Sequence, residues 1–85
     1  MNGRAFVAWN LRRIRVRKGL SQERLAYDAD VDRAYVGLLE REAANPTIDL
    51  LDRLAEALSV SVAEFFRRPA KGAARPKPLR SGRKR

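Results

Sequence analysis

The sequence predicts an all-α fold class: a compact domain of five helices followed by a basic tail. Apolar residues recur at spacings of three and four along residues 6–66, as on the buried face of a helix. Short polar segments containing helix-capping residues separate these periodic stretches. Residues 67–85 hold three of the four prolines, nine basic residues and no acidic residue. We therefore expect a folded domain over residues 1–66 and a disordered tail over residues 67–85.

The net charge is distributed unevenly along the 85 residues. Residues 1–18 carry a net charge of +6, residues 19–66 carry −6, and residues 67–85 carry +9. The net charge of the whole chain, +9, therefore equals that of the tail. A basic segment beside a neutral domain indicates a polyanionic partner, which the segment itself binds with little sequence preference.

Composition argues against several classes of protein, because the chain contains neither cysteine nor histidine. We expect no enzyme activity, no metal and no cofactor, since thiolate ligands and histidine-activated nucleophiles are excluded. Asp28, Asp30 and Asp32 alternate as at the start of a calcium loop. That interpretation fails because Arg33 and Leu39 stand where the loop requires Gly and Glu. A cytoplasmic location is expected, since no apolar run approaches the roughly 20 residues that span a bilayer and no signal peptide is evident.

The first helix is predicted over residues 6–18, which contain neither Pro nor Gly. Its apolar residues are spaced by four and three: Val7, Leu11 and Ile14. Gly19 suits the left-handed position that ends a helix. Ser21 is the expected N-cap of a second helix over residues 21–28.

A tight turn and a third helix follow. Asp30 tolerates the left-handed conformation that such a turn requires, and Asp32 is the expected N-cap of a helix over residues 33–41. Two short helices joined by a tight turn form a helix-turn-helix, here over residues 21–41. A DNA groove is the natural partner for the second helix of this motif.

Two further helices complete the predicted domain. Thr47 is the expected N-cap of the fourth helix, whose apolar residues keep helical spacing: Ile48, Leu51, Leu54, Ala55 and Leu58. A short fifth helix begins at Ser61 and is expected to bury Val62, Phe65 and Phe66. More apolar residues lie here than a core of this size needs, so we expect a homodimer contact. Its predicted residues are Leu58, Val60, Phe65 and Phe66.

Three stretches carry a family resemblance: LRRIRVRKGLSQERLA, VDRAYVGLLER and NPTIDLLDRLAEALSVSVAEFF. In order and spacing they resemble the lambda-repressor-like family of helix-turn-helix DNA-binding domains, the Cro or XRE type, over residues 6–66. VDRAYVGLLER looks most like the controller proteins of restriction–modification systems. The resemblance implies a bacterial, nucleoid-associated transcriptional regulator that binds specific DNA sequences with the third helix in the major groove. A homodimer on a pseudo-palindromic operator is expected, with half-sites about 34 Å apart.

The resemblance also implies roles for individual residues. Positions expected to face base edges are Arg33, Ala34, Tyr35, Gly37 and Leu38. Phosphate contacts are expected from Gln22, Tyr35 and Asn45. Arg33 is the best reader, because a guanidinium donates two parallel hydrogen bonds to guanine, worth about 1–3 kcal/mol of discrimination. A structural ion pair between Arg12 and Glu40 is implied as well.

Three positions depart from the family pattern. Gly37 and Leu38 stand where many relatives carry polar side chains, so the shape and deformability of DNA are expected to contribute more to specificity. Glu42 replaces a frequent glycine after the third helix.

Two other functions remain open at the level of sequence. The domain could be an antitoxin-like protein-interaction module whose tail folds on a partner protein. It could also bind nucleic acid nonspecifically through the tail alone, in which case residues 1–66 would have no affinity of their own. A tail that contacts DNA would gain free energy from released counterions.

Overall fold

The computed structural model describes residues 1–70, which form four α-helices and one 3-10 helix. The α-helices are α1 (Gly3–Arg17), α2 (Gln22–Ala29), α3 (Arg33–Glu40) and α4 (Ile48–Leu58), and the 3-10 helix is Val62–Phe66. No strand occurs in residues 1–70, so the all-α class is confirmed there, and the 3-10 helix lies where a fifth helix is predicted. Within this range no helix is long and apolar enough to cross a membrane. The tail predicted to be disordered spans residues 67–85, and its residues 71–85 lie outside the described residues.

Each α-helix begins at a polar side chain that accepts a hydrogen bond from the first turn. The predicted N-caps are confirmed: the side chain of Ser21 accepts from the Arg24 amide, that of Asp32 from Ala34 and that of Thr47 from Leu50. α1 begins three residues earlier than expected, because Asn2 Oδ1 accepts from the Ala5 amide at 2.9 Å. These bonds satisfy amides that have no partner within their own helix.

Left-handed residues end two of the helices as predicted. Gly19 follows α1 with φ 73°, and Asp30 follows α2 with φ 58°. The amide after each of them donates back across the last turn, from Leu20 to the Arg15 carbonyl and from Val31 to the Ala26 carbonyl. This 6→1 bond marks a helix end that turns the chain sharply, and it sets the direction in which α3 departs from α2.

The core lies between the four helices and is closed by the 3-10 helix. Its buried residues are Val7, Leu11, Ile14, Leu25, Ala26, Ala29, Val36, Leu39, Leu51, Leu54, Ala55, Leu58 and Phe65. The predicted dimer contact is therefore wrong for Leu58 and Phe65, which are 1% and 0% exposed. Leu58 continues the inward stripe of α4, and Phe65 is the side chain through which the 3-10 helix packs on the core. Val60 is half-buried against the core, and Phe66 is 44% exposed.

Asn10 is a fully buried polar residue on α1. Its Nδ2 donates to the carbonyls of Phe6 at 2.9 Å, Phe65 at 3.0 Å and Arg67 at 2.7 Å. Because the amide carries two protons, these three carbonyls share them. Asn10 thereby holds the end of the 3-10 helix and the following residue, Arg67, against α1.

Candidate nucleic-acid interface

α3 is fixed to the domain along one side and exposed along the other. Val36 and Leu39 are buried in the core. Arg33 and Ala34, in the first turn, are exposed, whereas Tyr35 and Leu38 are half-buried. The N-terminal half of α3 is thus presented on a rigid support, as insertion into a groove requires.

The Arg33 side chain is 68% exposed and makes one weak contact. Its Nη1 lies 3.3 Å from Glu23 Oε2, and the Glu23 side chain is 74% exposed. Exposed ion pairs of this kind contribute about 0–1 kcal/mol. Releasing Arg33 from Glu23 toward a base edge therefore costs little free energy.

Gly37 is buried, contrary to the expected outward position. A Cβ atom placed there would lie 3.2 Å from Arg41 Nη1 and 3.6 Å from Gln22 Oε1, so these two side chains cover the glycine. A base-facing role for Gly37 would require both to move. Arg41, which is exposed at the C-cap of α3, is therefore a cation on this surface that the sequence analysis missed. The sequence could have indicated this position, because Gly37 and Arg41 are four residues apart and so lie on one side of a helix.

The buried ion pair of the motif joins Glu40 to Arg15. The prediction that Arg12 is the partner of Glu40 is therefore wrong. Arg15 Nε donates to Glu40 Oε2 at 2.6 Å, and Nη2 donates to Oε1 at 2.9 Å. The two side chains are 6% and 3% exposed. Arg15 Nη1 also donates to the Leu20 carbonyl at 2.8 Å, which ties the turn after α1 to the same cluster.

Helix geometry explains why Arg15 replaces Arg12. At about 100° per residue, Arg15 lies roughly 40° from the core residue Leu11, whereas Arg12 lies roughly 100° from it. Arg15 therefore faces α3. Arg12 Nε is buried without a hydrogen-bond partner among residues 1–70.

Gln22 extends this cluster toward the exposed surface. Its Nε2 donates to Glu40 Oε1 at 3.1 Å, and its side chain is half-buried at the N-terminus of α2. Glu40 thus holds Arg15 and Gln22 together, and it fixes where the Gln22 amide lies relative to α3. The phosphate contact of Gln22 stays a prediction.

The loop from α3 to α4 brings Asn45 to the surface. Glu42 adopts the left-handed conformation with φ 61°, which agrees with glycine being frequent at this position in the resembling family. Asn45 is exposed after this turn, and its phosphate contact likewise stays a prediction.

The fold and the exposed half of α3 define a small helix-turn-helix domain. A helix-turn-helix family model matches residues 11–65, and the chain belongs to this family. A hypothetical transcription factor of Neisseria meningitidis serogroup B is 39% identical over 66 residues, which are 78% of this chain and 62% of that relative. The chain therefore spans less than two thirds of that relative's length.

Two solved structures of restriction–modification controller proteins are similar to this one. C.AhdI from Aeromonas hydrophila has 40% sequence identity and a TM-score of 0.72, over 74% of this chain and 96% of that one. C.Esp1396I, as a tetramer in complex with its natural 35 base-pair operator, has 36% identity and a TM-score of 0.71, over 78% and 87%. The predicted resemblance to the helix-turn-helix family and to controller proteins is confirmed.

Proposed function

We propose that this protein is a sequence-specific DNA-binding transcriptional regulator that inserts α3 into the major groove. The observation that carries the proposal is that one side of α3 is buried in the domain while its first turn is exposed. Its inner side is fixed by Val36, Leu39 and the buried Glu40, while Arg33 and Ala34 are exposed at its first turn. Membership of the helix-turn-helix family and the operator complex of C.Esp1396I support the proposal.

Within this proposal Arg33 is the main reader of base identity. Its guanidinium would donate two hydrogen bonds to guanine, whereas Ala34 offers a methyl group and the half-buried Tyr35 and Leu38 offer apolar surface. Arg41 adds a cation beside Gly37. Few polar side chains on α3 face outward, so the sequence-dependent shape of DNA contributes to selection.

Phosphate contacts would come from the two ends of the motif. Gln22 lies at the N-terminus of α2, where backbone amides favour an anion, and Asn45 lies on the exposed loop before α4. The basic residues of the tail would add sequence-independent affinity. Binding to bacterial DNA would place the protein at the nucleoid.

We propose that the protein binds DNA as a homodimer. Because Leu58 and Phe65 are buried in the core, the contact between the two copies must involve other residues. Ile48 is 63% exposed and Phe66 is 44% exposed. Both line a cavity of about 300 Å³, whose other lining residues are Gly3, Arg4, Val7, Asn45, Pro46 and Leu51. Asn45 thus belongs both to this surface and to the proposed phosphate contact. Ile48 and Phe66 give this surface an apolar part that a second copy of the chain would cover. The similar protein C.Esp1396I forms a tetramer on its operator.

Selection of bound sites from random duplexes tests the recognition proposal directly. The full-length protein is expected to enrich a pseudo-palindromic motif, and Arg33→Ala is expected to relax base preference at one position per half-site. Arg53→Ala on α4, which removes an exposed arginine away from α3, is the control and is expected to keep the motif. Loss of affinity for all sequences alike with Arg33→Ala would refute its reading role, and failure to enrich any motif would favour nonspecific binding by the tail.

Light scattering during gel filtration tests the dimer. The expected mass is twice that of the chain, and Phe66→Ser is expected to shift the equilibrium toward monomer. A monomer at every concentration, free and bound to DNA, would refute the dimer.

A further inference from the structure

A cationic pocket lies between α1 and the segment that follows the 3-10 helix. Its volume is about 440 Å³, and it is lined by Trp9, Asn10, Arg13, Arg17, Arg67 and Arg68 with the two residues after them. We call the four arginines around Trp9 the arginine pocket. No carboxylate belongs to this lining within residues 1–70.

The arginine pocket faces away from α3. Trp9, Arg13 and Arg17 follow one another by four residues and form one stripe along α1. Arg13 lies about 200° around α1 from Arg15, the residue that reaches Glu40 of α3. The body of α1, roughly 10 Å across, therefore separates the pocket from α3. We therefore expect that one straight duplex seated on α3 does not also fill this pocket.

Two of the arginines, Arg13 and Arg68, contact uncharged groups that do not neutralise them. Arg13 lies 5.6 Å from the centre of the Trp9 ring and donates to Asn10 Oδ1 at 3.2 Å. Arg68 lies 5.9 Å from the centre of the Phe6 ring. Aromatic faces attract a cation without cancelling its charge, so the positive potential of the pocket persists.

Arg13 lies among like charges in the pocket. Burial lowers the pKa of Arg13, and the neighbouring charges of Arg17 and Arg67 lower it further. Glu64 opposes this effect, and its carboxylate contacts Arg67 at 3.3 Å in an exposed pair. A bound anion would relieve this repulsion.

The pocket is also pre-organised. The buried Asn10 side chain binds the carbonyls of Phe65 and Arg67, so the segment that carries Arg67 and Arg68 is fastened against α1. The backbone of this segment is therefore already in place when an anion binds, whereas the exposed arginine side chains still have to be ordered. From Ala70 the chain continues with seven further basic residues and no acidic residue.

We propose that the arginine pocket binds the phosphate backbone of a second DNA segment, separate from the segment read by α3. Guanidinium groups match phosphate geometry, and the continuing run of basic residues suits a partner whose charges repeat along its length. One protein molecule would then bridge two duplexes. The pocket's own affinity for DNA does not depend on α3, so this proposal and the proposed function can fail separately.

Trp9 is the only tryptophan of the chain, so its fluorescence reports on the pocket itself. Titration of the full-length protein with a random-sequence 20-base-pair duplex is expected to change this fluorescence, and Arg33→Ala is expected to leave that change intact. Arg13→Gln/Arg17→Gln is expected to lower the duplex affinity measured this way at least tenfold. The same variant is expected to reduce the slope of log K against log salt by about 1.8. Arg53→Gln, which removes an exposed arginine on α4, is the control and should change neither value.

A bridging assay tests whether one protein molecule binds a second DNA duplex. Beads carrying one duplex, coated with protein, are expected to capture a second labelled duplex, and Arg13→Gln/Arg17→Gln is expected to abolish the capture but not the coating. Arg68→Gln, at an exposed position, repeats the test should the double variant fail to fold by circular dichroism. An unchanged Trp9 signal with DNA would overturn the proposal, as would capture that is insensitive to these variants. A Trp9 response to poly-glutamate but not to DNA would overturn it in favour of an acidic protein partner.

Discussion

Replacing Arg15 by methionine tests the buried ion pair that fastens α1 to α3. Methionine retains much of the length of the side chain but removes all three hydrogen bonds of the guanidinium, two to Glu40 and one to the Leu20 carbonyl. Within residues 1–70, Glu40 would keep Gln22 alone as a side-chain donor, although its own side chain is 3% exposed. A nearly buried carboxylate would therefore lose its cationic partner.

The expected loss of stability is large for a domain of this size. Removing one partner of a buried pair costs about 3–5 kcal/mol. A folded unit of 70 residues has a free energy of unfolding of roughly 4–10 kcal/mol, at about 0.05–0.15 kcal/mol per residue. Arg15→Met should thus lower the melting temperature by at least about 12 °C, or unfold the protein outright. Arg12→Met removes a guanidinium whose buried Nε has no hydrogen-bond partner among residues 1–70, so its cost should stay within about 1 kcal/mol.

Urea denaturation, monitored by circular dichroism, measures the free energy of unfolding of both single variants and of one double variant that should restore stability. Arg15→Met/Glu40→Leu replaces the pair with apolar side chains and is expected to recover most of the loss, since an apolar substitute for a buried pair is often neutral or better. Equal destabilisation by Arg12→Met and Arg15→Met would refute the assignment. So would a loss below about 1 kcal/mol for Arg15→Met, the value expected of an exposed pair.

Three further outcomes are expected. Asn10→Ala leaves the carbonyls that Asn10 serves without their donor and should cost about 2–4 kcal/mol in urea denaturation; a neutral effect would contradict its fastening role. Glu42→Gly should raise the free energy of unfolding by up to about 1 kcal/mol because φ is 61° there, whereas Glu42→Val should lower it. Truncation after Ala70 should weaken binding of all duplexes alike and reduce the salt dependence without changing the melting temperature. Truncation after Phe66 should also lower the melting temperature, because it removes the Arg67 carbonyl that accepts from Asn10, and equal melting of the two truncations would contradict that contact.

Local features of the sequence were sufficient to predict the helices. Ser21, Asp32 and Thr47 cap helices as expected, and Gly19 and Asp30 adopt the left-handed conformation. Capping and helical periodicity depend on residues within one turn of each other, so the order of the chain carries this information directly. The start of α1 was missed because Asn2, a good N-cap, precedes Gly3, which is a poor helix former.

Local spacing along the chain is enough to establish the helix-turn-helix and the exposed position of Arg33, and the charge distribution indicates a polyanionic partner. Tertiary packing establishes three further features: Glu40 pairs with Arg15, Leu58 and Phe65 face inward, and Arg13 and Arg17 meet the segment after the 3-10 helix. Those contacts join residues far apart in the chain, and they depend on the rotation of each helix about its axis. A difference of about 60° around α1 separates Arg12 from Arg15, and packing against α3 selects between them.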